Sequence, residues 1–147
     1  MYIIFLIIHS ILRWLVLGGL ILAFLTALVG LWKGRNYSKL DNSLRAASVG
    51  FSHLQFIIGF ILYFLLSPLS QSFLKNGQQG IYEIWFFGIY HFGLMFSAIV
   101  VLSIGSSIIK KSASDSAKFK NTLVYYGITL AIILLALPWF RPFFRGM

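Results

Sequence analysis

Apolar residues fall into four long runs along this chain, divided by short polar stretches. The first extends from about Tyr2 to Trp32, and the second from about Leu44 to Ser67, stopping at Pro68. The third covers roughly Ile84 to Ile109, and the fourth Thr122 to Leu137, ending before Pro138. About 20 apolar residues cross a hydrocarbon core as a helix; the first three runs exceed that length and the fourth is marginal. Backbone polar groups find no water in lipid, so such runs must satisfy their hydrogen bonds internally, as helices. The pattern predicts an all-α, integral membrane four-helix bundle: a single domain over residues 1–147, with spans of about 2–32, 44–67, 84–109 and 122–137.

Composition agrees. Hydrophobic residues make up 59% of the chain and charged ones 10%, against roughly 25% charged in soluble domains. There is no Cys. That excludes disulfides, thiolate metal ligands, iron–sulfur clusters and covalent haem attachment through Cys-x-x-Cys-His. The opening "MYIIFLIIHSILRWLVLGG" lacks a basic n-region and its apolar run continues to Trp32, so it reads as a retained span rather than a signal peptide.

The net charge of +9 is concentrated in two connections. "KGRNYSKLDNSLR" (33–45) carries Lys33, Arg35, Lys39 and Arg45 against Asp41, and "KKSASDSAKFK" (110–120) carries Lys110, Lys111, Lys118 and Lys120 against Asp115. The connection between them has only Lys75 and Glu83. Basic residues beside apolar spans signal topology and contact anionic lipid; they do not here suggest nucleic acid. Both basic loops are predicted on the cytoplasmic side and both termini outside, a contrast that Arg141 and Arg145 in the tail reduce. Trp32, Trp85 and Trp139 fall at predicted span ends, as an aromatic belt requires. Asn42 and Ser43 are expected to cap the second helix, and "SDSAKFK" to be a solvated loop.

Candidate chemistry lies inside the spans. "HSILRW" puts His9 and Arg13 one helical turn apart on one face, where an ionisable group needs compensation. All three histidines, His9, His53 and His91, are within spans. At about 1.5 Å per residue, His9 lies roughly 10 Å from the outer end of its span and His91 roughly 9 Å from Trp85. Their spans run the same way, so the two are matched in height. His53 lies roughly 12 Å from the inner end of an opposed span and leans inward.

Two neutral imidazoles from facing helices can hold a b-type haem without burying a charge. His9 and His91 are the expected axial pair, with His53 as the alternative and Met95, one turn after His91, as a further axial candidate. Arg13 is expected to meet a haem propionate, Glu83, a carbonyl, water or a quinone head group, or to snorkel to the interface. The stripes Gly88–His91–Met95–Ala98–Leu102–Gly105 and Ala46–Gly50–His53–Ile57–Phe60 suit close helix packing or a flat macrocycle. The simpler expectation is that each histidine bonds a carbonyl or a Ser/Thr hydroxyl on a neighbouring helix.

"HSILRW", "YSKLDNSL", "HLQFIIGFILYF", "KKSASDSAKFK" and "LPWF" together resemble a family of small bacterial four-span membrane proteins usually labelled cytochrome b or cytochrome b-like. The resemblance covers nearly the whole chain. It implies an intramembrane histidine in each of the first three spans, at His9, His53 and His91, and non-covalent haem b in the inner membrane. Where that family often has Glu-His, this chain has Tyr90-His91, which removes a carboxylate suited to proton relay.

The expected function is therefore a membrane-embedded haem protein or haem-bearing anchor subunit. It would pass electrons between the quinone pool and a redox partner protein, with the lipid bilayer as its solvent. Two other classes stand beside it. One is a non-redox accessory or assembly subunit; the other is a small transporter or proton-conducting protein using His53, Arg13 and Gln55. An independent enzyme is disfavoured, since no nucleophile–base arrangement, phosphate loop or zinc motif is present.

Overall fold

The computed structural model describes residues 1–141, and over these the protein is helical with no strand. Arg145, counted above in the tail charge, lies outside the described residues. The helices are α1 (Tyr2–Lys33), α2 (Lys39–Ile61), α3 (Pro68–Asn76), α4 (Tyr82–Trp85), α5 (His91–Lys111) and α6 (Asp115–Ala136). Two π-helical stretches keep neighbouring elements continuous: Leu62–Leu66 extends α2, and Phe86–Tyr90 joins α4 to α5. Four rods result, Tyr2–Lys33, Lys39–Leu66, Tyr82–Lys111 and Asp115–Ala136, each long and apolar enough to cross a membrane.

Polar residues start two of these rods earlier than the apolar pattern predicted. α2 begins at Lys39 because Ser38 caps it: Ser38 Oγ accepts from the Asp41 N–H (3.3 Å) while the Asp41 carboxylate accepts from the Ser38 N–H (2.8 Å). Asn42 and Ser43, expected as caps, lie inside the helix. α6 begins at Asp115 with Ser114 Oγ accepting from the Ala117 N–H (3.2 Å), so most of "SDSAKFK" is helix rather than loop. Asp41 and Asp115 thus belong to first helical turns, where a negative charge complements the helix dipole. Pro68 ends one rod and also opens α3, which was not predicted; its missing N–H costs nothing at a first helical position.

The turn from α1 to α2 is closely fastened. Gly34 ends α1 at φ 61°, a left-handed conformation that a Cβ would strain. Arg35 then grips Asp41 with two bonds (2.6 and 2.8 Å) and reaches the Thr26 carbonyl (3.3 Å). The carboxylate raises the Arg35 pKa above its ordinary value, and the guanidinium sits 4.9 Å over the Phe119 ring.

α1 packs closely on α2 and on α6, and α5 packs closely on α6. α2 and α5 touch less extensively, so α1 and α5 occupy one diagonal of the bundle. Small residues permit the tight contacts: a Cβ on Gly105 would run into Tyr125, and one on Gly30 would meet Phe119 at 2.5 Å. The α5 stripe faces inward, with Gly88, Ala98, Leu102 and Gly105 buried. The α2 stripe does not. Ala46, Gly50, His53, Ile57 and Phe60 are all exposed, and the inner face of α2 is instead polar, with Ser48 and Ser52 buried. Lipid is as apolar as a helix interface, so apolar spacing alone left the inward face of α2 undetermined.

Candidate functional site

Between the four rods runs a cavity of about 170 Å³, from mid-bundle to the end closed by α3 and the C-terminal segment. α1 contributes His9, Ser10 and Arg13 to its wall, α2 contributes Ser52, Gln55 and Gly59, and α5 contributes His91 and Met95. The structure therefore brings His9, His91, Arg13 and Met95 to one space. His53 is not on that wall.

Each imidazole is positioned by its neighbours. Ala136 is the last residue of α6, and the carbonyls of a final turn lack intrahelical partners. His91 Nδ1 donates to that carbonyl at 2.7 Å. A carbonyl can only accept, so Nδ1 carries the proton and the neutral ring keeps its lone pair on Nε2. His9 lies against Gly59, where a Cβ would come within 3.1 Å of His9 Cε1. Gln55 Nε2 donates to the His9 backbone carbonyl at 2.9 Å, tying α1 to α2 at this level. His9 Nδ1, Gln55 Oε1 and Ser52 Oγ are buried with no hydrogen-bond partner among the described residues. All three belong to cavity-lining side chains. Buried polar atoms left open in one place mark where a ligand or water would bond.

Arg13 lies 5.4 Å from the Trp14 ring centroid. Glu83, one partner considered for it, forms an ion pair with Arg141 (2.5 Å), whose guanidinium also stands 4.4 Å over the Phe87 ring. Arg141 thereby joins the cavity wall, a placement with no local signal along the chain. Gly59 was likewise missed, because its role is a contact with a side chain 50 residues away. The π-helical stretches face one another here: Tyr63, in the first, donates to the Gly88 carbonyl, in the second, at 2.5 Å. A Cβ on Gly88 would strike Phe73 of α3, so that glycine admits α3 to the end of the bundle.

His53 has a different setting. It is exposed on the α2–α5 seam, where Nδ1 donates to the Val49 carbonyl (2.8 Å) and Ser103 Oγ lies 3.2 Å from Nε2. Ser103 Oγ donates its hydrogen to the Ile99 carbonyl (2.6 Å), so only Nδ1 of His53 is hydrogen-bonded.

Among the described residues no group of three or more His, Cys, Asp or Glu side chains is placed to hold a metal ion. His9 and His91 both line the cavity, and neutral imidazoles are donors that a haem iron would take. Arg13 adds positive charge suited to a carboxylate, whereas the charge of Arg141 is met by Glu83. The free volume is tighter, since about 150 Å³ accommodates a single benzene-sized ring. No known protein family, curated protein or solved structure matches this chain.

Proposed function

We propose that the protein is a membrane redox protein that holds haem b between His9 and His91 and passes electrons between the quinone pool and a partner redox protein. The observation that carries this reading is the pair of imidazoles on diagonally opposed helices lining one cavity, with His91 locked so that Nε2 keeps its lone pair. Bound haem supplies the one-electron chemistry that no side chain here provides. The residues supply the setting. The bond to Ala136 holds the His91 ring and increases its basicity as a ligand. Gly59 gives the His9 ring its seat, and Arg13 would offer charge to a propionate. Phe56 and Phe92 line the cavity beside the α2–α5 seam with ring centroids 6.4 Å apart, and they exclude water. A porphyrin needs that wall to part, and α2–α5 is the least extensive neighbour contact in the bundle.

By the positive-inside argument we place the basic loops in the cytoplasm and both termini outside a bacterial inner membrane. The histidine pair then lies toward the outer side. Met95 remains a second axial candidate at the same wall, and His53 takes no part.

The cavity size favours a second reading, a quinone head group in place of haem. The Ser52 hydroxyl can donate to a quinone carbonyl, and Gln55 Oε1 can accept from a quinol hydroxyl.

Expression with ample haem, purification in detergent and a reduced-minus-oxidised absorption spectrum test the proposal. A haem b spectrum is expected, abolished by His9→Ala and by His91→Ala and retained in His53→Ala. A colourless protein overturns the haem assignment; bleaching by His53→Ala alone overturns the choice of ligands. Tight, saturable binding of a short-chain quinone to the colourless protein, weakened by Ser52→Ala, would establish the second reading.

A further inference from the structure

A second site follows from charge. The chain has 12 Lys and Arg but only three Asp and Glu, and each acid is engaged: Asp41 by Arg35, Asp115 by Lys118 and Glu83 by Arg141. At the end opposite the cavity mouth, the start of α2, the end of α5 and the start of α6 enclose a groove of about 500 Å³. Lys39, Arg45, Lys110 and Lys118 line it, and no carboxylate does. Lys118 is partly compensated by Asp115 at 3.6 Å; the other three have no acid left to meet.

Arg45 is the preorganised member. It is half-buried and held by neutral acceptors alone: Nε and Nη2 donate to Asn42 Oδ1 (3.3 and 2.9 Å), and Nη1 donates to Ser106 Oγ (2.5 Å). Its backbone carbonyl accepts from the buried Tyr126 hydroxyl (2.9 Å), which fixes that turn of α2. A guanidinium has five N–H donors, so Asn42 and Ser106 do not use it up, and Tyr37 is a further hydrogen-bonding neighbour beside it. Tyr37 forms part of the groove with Lys118 Nζ 5.4 Å from its ring centroid; burial raises its pKa, and its hydroxyl bonds to Thr122 and Arg45. The carboxyl end of α5 is unfavourable to an anion and Lys110 offsets it; the amino end of α2 is favourable.

The groove opens where the α2–α5 seam begins. Along that seam Ala46, Gly50 and His53 are exposed, and a Cβ on Gly50 would meet nothing within 4 Å. A phosphate at the groove therefore has an open helix face with small residues, Ala46 and Gly50, continuing from it along the span, a setting that fits a lipid better than a free ion. We infer that this groove binds the phosphate of an acidic phospholipid, with an acyl chain lying along the α2–α5 seam. The inference does not depend on what the histidine cavity holds.

Thermal unfolding of the full-length protein in an uncharged detergent tests it, with phosphatidylglycerol, phosphatidylcholine or inorganic phosphate added. Phosphatidylglycerol is expected to raise Tm saturably, and the other two are not. Lys39→Ala/Lys110→Ala, both exposed positions, should weaken the phosphatidylglycerol response by about tenfold or more in half-saturating concentration. Lys33→Ala/Lys120→Ala removes the same charge outside the groove and should leave that concentration unchanged. An equal response to phosphatidylcholine overturns the headgroup assignment. An equal response to inorganic phosphate assigns the groove to a soluble anion and overturns the lipid. Equal loss in the two double variants reduces the effect to diffuse surface charge and overturns the site.

Discussion

Polar groups are treated in opposite ways at the two ends of the bundle. At the basic end, the buried Asp41 carboxylate takes bonds from Arg35 and Ser38, Ser48 Oγ donates to the Leu44 carbonyl (2.7 Å), and Thr122 Oγ1 donates to the Lys118 carbonyl (2.8 Å). At the histidine end, His9 Nδ1, Ser52 Oγ and Gln55 Oε1 are buried without partners around a cavity. Each such atom costs about 1–3 kcal/mol. The contrast teaches where buried polar groups are satisfied within the fold and where they are left open toward a cavity. Ser48 and Ser52 make the point on a single helix. They are one turn apart on the same face of α2, yet one hydroxyl is satisfied and the other faces the cavity.

The largest test of that contrast is Asp41→Ala. It removes both the Arg35 clamp and the capping box, and should destabilise the protein by about 3 kcal/mol or more in detergent unfolding. A loss below about 1 kcal/mol would mean that the basic end does not hold the fold. Next is Gly105→Leu, which forces a side chain into Tyr125 at the α5–α6 contact and should cost about 1–3 kcal/mol. Ser48→Ala and Ser52→Ala sharpen the comparison directly. The first should cost about 1 kcal/mol by losing a satisfied bond, and the second should be neutral or slightly stabilising in ligand-free protein. Equal costs for the two serines would erase the distinction between the ends. The smallest effect is expected from Gly59→Ala, which presses on the His9 ring at 3.1 Å. Stability should stay within about 0.5 kcal/mol, while the spectrum or quinone affinity of the loaded protein shifts.

The four rods were legible in the residues, and His9 and His91, singled out in the sequence, both line one cavity. Their ends were less so. Lys39–Ser43 and Asp115–Lys120 look like loop to a reading based on apolar length, while Ser38 and Ser114 supply caps that start helices there. α3 was hidden because Pro68 reads first as a stop. The Arg141–Glu83 pair joins residues 58 positions apart and had no local signal.

Composition and run length sufficed for an all-helical chain with four helices long and apolar enough to cross a membrane, where lipid would leave the backbone no other partner than itself. They did not say which side of each rod faces its neighbours. In water the apolar side would be the inner one. Here both environments are apolar, so packing had to choose, and on α2 it turned Ala46, Gly50 and His53 outward and Ser52, Gln55 and Gly59 toward the cavity. Close α1–α2 contacts, Gly19 against Ser48 and Gly59 against His9, hold that face of α2 inward and leave His53 off the cavity wall that His9 and His91 line.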